Sequence, residues 1–143
     1  MIVVDASLAA KWILWEDQSH EALTFLSRNR AALCAPDLIL TEVAGAISRI
    51  ARMSDLAMED AEQLLGRWLG DFGAAAIGVR RSPPALVLIA ARMSVALSHP
   101  IQDCLYLALA NELQSDLVTC DAKFAAKARA LYSNVKLLAE YGI

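Results

Sequence analysis

The chain has 143 residues, 57% of them apolar, with a net charge of −3 and three cysteines. This length predicts a single domain over residues 1–143, large enough to bury its own core. The composition argues against a membrane span, because no apolar run approaches the roughly 18 residues required. Three cysteines without a CxxC spacing indicate neither disulfides nor zinc.

The amino terminus shows no targeting signal, because residues 1–5 lack a basic region and a cleavage site. We therefore expect a cytoplasmic protein without a membrane partner. The high apolar fraction predicts that another chain covers part of the surface. Each cysteine is expected to be a buried, reduced thiol.

Strands and helices are predicted to alternate along the chain. A strand at residues 2–4 ends at Asp5, and Ser7 can cap a helix that continues through Trp12 and Trp15. The pattern predicts further helices at 19–30, 37–53, 57–69, 84–97, 100–113 and 122–131, and further strands at 32–35, 75–79, 117–120 and, at an edge, 135–138. This order predicts a three-layer α/β/α domain with a mostly parallel central sheet.

Four acidic residues occupy positions suited to chemistry. Asp5 and Asp121 each end a predicted strand, where open α/β sheets place their sites. Asp103 falls in the first turn of a helix. Glu42 lies at the edge of a helical stripe that extends to Ile50 and is expected to be buried. A parallel sheet could gather all four acids at one edge.

Each acid also has an ordinary structural interpretation. Asp5 could be a turn residue beside a helix cap, and Asp121 could itself cap the next helix. Asp103 could do no more than stabilise a helix N-terminus. For each residue taken singly, the sequence leaves both interpretations open.

A gathered set of four carboxylates would need a cation. Two carboxylates about 5 Å apart repel by roughly 3 kcal/mol at an effective dielectric constant near 20. Hard oxygen ligands select Mg²⁺ or Mn²⁺, and no set of His and Cys residues indicates a softer metal. Such a site suits metal-assisted attack of water on a phosphodiester.

Four short segments carry a resemblance to a known family. They read Asp-Ala-Ser at 5–7, Thr-Glu-Val at 41–43, Asp-Cys-Leu-Tyr-Leu-Ala-Leu-Ala at 103–110 and Thr-Cys-Asp at 119–121. In this order they resemble the PIN-domain family, and the VapC toxins of bacterial toxin–antitoxin pairs in particular. The resemblance covers almost the whole chain.

The resemblance implies a Mg²⁺- or Mn²⁺-dependent endoribonuclease that acts on RNA, forms a homodimer and is silenced by a VapB-type antitoxin. It implies that Asp5 and Asp103 bind the metal directly. Glu42 and Asp121 would bind a second metal or orient the attacking water. The hydroxyl groups that would hold these carboxylates by hydrogen bonds belong to Ser7 and Thr119.

Two positions depart from the family pattern without removing a ligand. Gly45 stands where family members often carry Asn, and Cys104 replaces a common Ala. His99 precedes a proline, which is typical of a cap or turn residue, and it is not included in the site.

Arg49 is a candidate RNA contact on geometric grounds. It lies two helical turns after Glu42 on the same stripe, roughly 10 Å along the axis. A metal near Glu42 and the Arg49 guanidinium could therefore contact different phosphates of one strand. The alternative is a surface arginine that pairs with Glu59 or Glu62 of the neighbouring helix.

Three other functions fit the sequence less well. The haloacid-dehalogenase pattern needs a second Asp two residues after the nucleophile, where Ser7 stands. A receiver-type phosphoacceptor Asp ends the third strand, whereas Asp5 ends the first. The non-catalytic alternative is a PIN-like interaction module, which the complete set of four acids disfavours.

Overall fold

A parallel sheet of five strands forms the centre of the protein. The computed structural model describes residues 1–70 and 72–141. The strands are β1 (Ile2–Val4), β2 (Leu33–Pro36), β3 (Gly78–Arg80), β4 (Asp116–Thr119) and β5 (Val135–Leu137), in the spatial order β3-β2-β1-β4-β5. All four neighbouring pairs are parallel. The predicted parallel sheet is confirmed, with β5 at an edge.

Helices flank this sheet. They are α1 (Ala6–Ala9), α2 (Ser19–Asn29), α3 (Leu38–Met53), α4 (Met58–Leu69), α5 (Pro84–Leu97), α6 (Ile101–Leu113) and α7 (Ala122–Ala128). Short 3₁₀ turns lie at Ala10–Trp12, Arg30–Ala32, Ala74–Ala76 and Leu138–Glu140. Connections between parallel strands need such crossovers, which accounts for the alternation seen in the sequence.

The register of the central strands brings two chain segments to one edge of the sheet. Val4 of β1 lies beside Val118 of β4. Since the strands are parallel, the residues that follow them, Asp5 and Thr119, leave the sheet at the same edge. Helix α1 then contacts both β4 and α3, which places the start of α1 between β4 and the helix that carries Glu42.

Helix α6 is the central helix of the core. It packs on β1, β2 and β4 and against α5, and Tyr106 and Leu107 are fully buried. Two buried tryptophans tie other elements together, because the indole N–H of Trp12 donates to the Ala22 carbonyl at 3.0 Å and that of Trp68 to the Leu40 carbonyl at 3.1 Å.

No single helix in the described residues is long and apolar enough to cross a membrane. Helices α5 and α6 reach that length and composition only as a pair, and the pair is bent by 117° at the break between them.

Three predicted elements differ by three residues or more at one end. The helix expected at 122–131 is α7, which ends at Ala128. The strand expected at 75–79 is β3 at Gly78–Arg80, and Ala74–Ala76 is a 3₁₀ turn, because alanine has low strand propensity. The first helix does not continue to Trp15, which is 78% exposed. Its N-cap is Asp5 rather than Ser7.

Two further expectations about burial were wrong. Ile50 is 45% exposed and lines a surface groove. Cys34 and Cys104 are buried as expected, but Cys120 is partly exposed, since β4 ends one residue earlier than predicted.

Candidate active site

Asp5 is the most buried acid of the site. It directly follows the central strand β1, and only 4% of its surface is exposed. Its Oδ1 accepts hydrogen bonds from the Ser7 hydroxyl at 2.7 Å and the Leu8 backbone N–H at 3.2 Å. Its Oδ2 accepts a short bond of 2.5 Å from the Thr119 hydroxyl. Asp5 is thus both the N-cap of α1 and the centre of a polar cluster.

The two hydroxyl residues join the start of α1 to the end of β4. The backbone N–H of Cys120 donates to Ser7 Oγ at 3.0 Å, and that of Asp121 donates to Thr119 Oγ1 at 3.0 Å. Ser7 and Thr119 therefore bind the Asp5 carboxylate from two different segments of the chain.

Burial raises the pKa of Asp5 from an ordinary 3.8 to about 6. The bonds from Thr119, Ser7 and Leu8 oppose this effect, and the charge of Asp103 adds to it. A carboxylate with three hydrogen bonds normally ionises easily. Here desolvation exceeds those bonds, so the folded protein without a cation resists ionisation of Asp5.

Glu42 lies on α3 and is held from α6. The Tyr106 hydroxyl donates to Glu42 Oε1 at 2.6 Å. Burial raises the pKa of Glu42, the Tyr106 bond lowers it, and the charge of Asp103 raises it further. Burial and the bond to Glu42 raise the pKa of Tyr106 far above its usual range, so the phenol remains a hydrogen-bond donor.

Asp103 lies in the first turn of α6, as predicted. Its Oδ2 is 2.6 Å from His99 Nε2, and the imidazole ring packs at 4.9 Å from the ring of Phe124. His99 and Tyr106 were not among the predicted site residues, yet each contacts an acid of the site. The four-residue spacing of His99 and Asp103 did not by itself predict their contact, because His99 precedes α6 and does not share its helical face.

Asp121 caps α7. Its Oδ1 accepts from the Phe124 backbone N–H at 3.0 Å, so the structural interpretation of this acid holds. Its backbone also reaches Asp5 through the Thr119 hydroxyl. Asp121 therefore borders the cluster, with its side chain engaged in the cap.

Asp5, Glu42 and Asp103 form one electrostatic group, because the charge of Asp103 raises the pKa of both other carboxyls. In residues 1–70 and 72–141, none of the three forms an ion pair with Lys or Arg. Three carboxylates without a lysine or arginine partner are a donor set whose chemistry fits a hard divalent cation.

The side chains do not form a finished metal cage. Over the described part of the chain, no three His, Cys, Asp or Glu side chains are placed to hold one ion. Glu42 and Asp103 are instead held by Tyr106 and His99. The residues fit a metal by charge and ligand type.

A groove of about 600 Å³ opens beside this cluster. Ser7 and Glu42 line it on the side of the acids, and the rest of its lining includes Lys11 and Leu14 from the segment after α1 and Arg49 and Ile50 from α3. Glu42 and Arg49 thus face one groove. The alternative pairing of Arg49 with Glu59 or Glu62 is not formed, since no ion pair of Arg49 occurs in the described residues.

The PIN domain family profile matches residues 2–130. The chain therefore belongs to the PIN domain family, as the motifs at 5–7, 41–43, 103–110 and 119–121 predicted. No curated protein sequence matches it significantly.

Solved structures share the fold at low sequence identity. FitAcB from Neisseria gonorrhoeae superposes with a TM-score of 0.73 at 11% identity, with both chains covered completely. VapC20 of Mycobacterium tuberculosis, described as a sarcin-ricin loop cleaving toxin, gives 0.67 at 15% identity over 88% of this chain and 94% of that one. VapBC2 from Rickettsia felis, bound to a DNA fragment from its promoter, gives 0.64 at 14% over 96% and 97%. These similarities establish the PIN-like α/β/α fold.

Proposed function

We propose that this protein is a Mg²⁺- or Mn²⁺-dependent endoribonuclease that acts as the toxin of a type II toxin–antitoxin pair in the cytoplasm. One observation carries the proposal. Burial, with a further contribution from the charge of Asp103, raises the pKa of both Asp5 and Glu42, and no lysine or arginine in the described residues pairs with any of these three acids.

Asp5 and Asp103 are the residues that would hold the cation. When bound, a divalent ion makes water a nucleophile near neutral pH and offsets charge on the phosphate. Glu42 and Asp121 would orient the attacking water or contribute to a second ion. Ser7 and Thr119 keep the buried Asp5 carboxylate oriented toward the site.

Two further side chains, one on α6 and one just before it, hold Glu42 and Asp103 by hydrogen bonds. Tyr106 fixes Glu42 from a fully buried phenol, and His99 fixes Asp103. Acids that are held in this way are already oriented before a substrate binds. An Asp5 phosphotransferase is less well supported, because Ser7 stands where the haloacid-dehalogenase pattern needs a second Asp.

The proposed partners are an RNA substrate, a VapB-type antitoxin and a second copy of the chain. The antitoxin is suggested by the fold neighbours, which include the complex from Rickettsia felis. A homodimer would cover apolar surface on α5, where Leu88 is 52% and Val95 82% exposed.

The test is expression of the chain without a partner, with cell growth and cleavage of RNA by purified protein as readouts. We expect growth arrest and Mn²⁺-dependent cleavage that a chelator abolishes. Asp103→Ala should relieve the arrest and abolish cleavage without unfolding the protein. Glu112→Ala, which removes an exposed acid from the same helix, should behave like the parent.

A fully toxic Asp103→Ala protein would contradict the nuclease mechanism. Circular dichroism and the melting temperature of each variant establish that a loss of toxicity is not a loss of folding.

A further inference from the structure

The three tryptophans of the chain have very different environments. Trp12 is 2% and Trp68 0% exposed, and each indole N–H has a carbonyl partner. Trp15 is 78% exposed. Its chain neighbours Leu14 and Glu16 both line the groove that contains Glu42 and Arg49, so the backbone of Trp15 borders this groove and its indole is open to solvent.

The backbone around Trp15 is firmly held. The buried Ser19 hydroxyl donates to the Leu14 carbonyl at 3.0 Å and accepts from the Glu16 N–H at 2.9 Å. These bonds flank Trp15 on both sides, and Lys11 pairs with Glu16 at 3.2 Å. The indole is thus presented from an ordered turn, and binding a ligand there would cost little ordering entropy.

Arg49 supplies a positive charge in the same groove. It is exposed on α3, and it has no ion pair anywhere in residues 1–70 and 72–141. The charge of Lys11 is offset by Glu16. An exposed aromatic face and an unengaged guanidinium are the two features by which proteins bind single-stranded nucleic acid without reading its sequence.

We propose that Trp15 and Arg49 form a binding site for single-stranded RNA, with Trp15 stacking on an unpaired base and Arg49 contacting a phosphate. The inference rests on the proposed function, since the strand would continue along α3 toward Glu42, roughly 10 Å away. Stacking on one face of an indole requires an unpaired base. The site therefore favours loops and single strands over duplex RNA.

Trp15 also serves as the probe of its own binding, because the other two tryptophans are buried. The buffer for this binding measurement contains a chelator, so that metal-dependent cleavage does not degrade the RNA. Single-stranded RNA of roughly 12 nucleotides, within the size range of such sites, should quench the Trp15 emission. A duplex of the same length should quench it much less. Trp15→Phe, which leaves only the buried tryptophans, should show almost no quenching.

Affinity is then measured with labelled RNA, so that variants without Trp15 can be compared. Trp15→Ala should weaken binding about tenfold, within the range for loss of one stacked base, and Trp15→Phe should restore most of the affinity. Arg49→Ala should weaken binding and lower the salt slope by about 0.7, the value for one single-strand phosphate contact. The matched controls Met58→Ala and Arg28→Ala remove an exposed apolar residue from α4 and an exposed basic residue from α2, and both should leave RNA affinity unchanged.

In the Mn²⁺-supported reaction, Trp15→Ala should raise KM and leave kcat near the parent value, as expected for loss of binding energy away from the reacting atoms. Unchanged RNA affinity in both Trp15→Ala and Arg49→Ala would overturn the proposal and would favour a protein segment as the ligand of the groove. If those variants cleave RNA normally, the nuclease function stands without this site. Quenching by RNA without any cleavage would instead contradict the proposed function alone.

Discussion

Replacing Asp5 by Asn should stabilise the metal-free protein at neutral pH. The variant keeps the shape of the side chain, and Asn caps helices as well as Asp does. Its amide oxygen can still accept from Ser7 and Leu8, as Asp5 Oδ1 does. The change removes only the negative charge and requires the Thr119 hydroxyl to turn from donor to acceptor, which costs about 1 kcal/mol.

The direction follows from the raised pKa of Asp5, from 3.8 to about 6. Between these values the folded protein keeps a proton that the unfolded chain has released, so the free energy of unfolding falls as pH rises and becomes constant above about pH 6. At about 1.4 kcal/mol for each unit of pKa, the ionised carboxylate costs the folded state about 3 kcal/mol. After the rearrangement at Thr119, Asp5→Asn should gain about 2 kcal/mol at pH 8.

The assay is denaturant unfolding of parent and variant in a chelating buffer from about pH 4.5 to pH 8. The stability difference between them should grow by about 2 kcal/mol over this range, while the effects of acids outside the site cancel. A difference that stays constant with pH, or that favours the parent at pH 8, would refute the reasoning about burial. Stability lost by the parent in this way is the expected cost of keeping an ionised acid for function.

Three further outcomes are expected at the same site. Mg²⁺ or Mn²⁺ should raise the melting temperature of the parent by binding only the folded state, and the double variant Asp5→Asn with Asp103→Asn should lose that gain; an equal Mn²⁺ response in both proteins would show that the site is misplaced. Tyr106→Phe removes the bond that lowers the pKa of Glu42, so the acidic limb of the pH–rate profile should move to higher pH. An acidic limb that does not move would show that Glu42 does not set it. His99→Ala should lower the single-turnover cleavage rate more than His99→Gln, because the Gln amide can restore the bond to Asp103. Equal single-turnover rates for the two variants would contradict a positioning role.

The sequence by itself determined the fold class and the local position of each acid. Apolar periodicity gave the alternation of strands and helices, and chain direction placed Asp5 after a buried strand and Asp103 in a first helical turn. The cap formed by Asp121 was also readable, because a cap depends on residues only three apart, whereas the cap of α1 was assigned to Ser7 and is Asp5. The weak alanine-rich strand was misplaced, since its position depends on pairing with β2 rather than on its own propensity.

Only the tertiary structure decided which side chains hold the acids and which environment sets their pKa values. The bond from Thr119 to Asp5 spans 114 residues and that from Tyr106 to Glu42 spans 64, so no local pattern contains them. The same applies to burial. Trp12 and Trp15 were both predicted to lie in the first helix, yet Trp12 is buried against α2 and Trp15 is exposed to solvent. Burial sets the pKa of Asp5, and exposure leaves Trp15 open to a partner. Both depend on all the elements that pack around a residue, and these come together only in the folded chain.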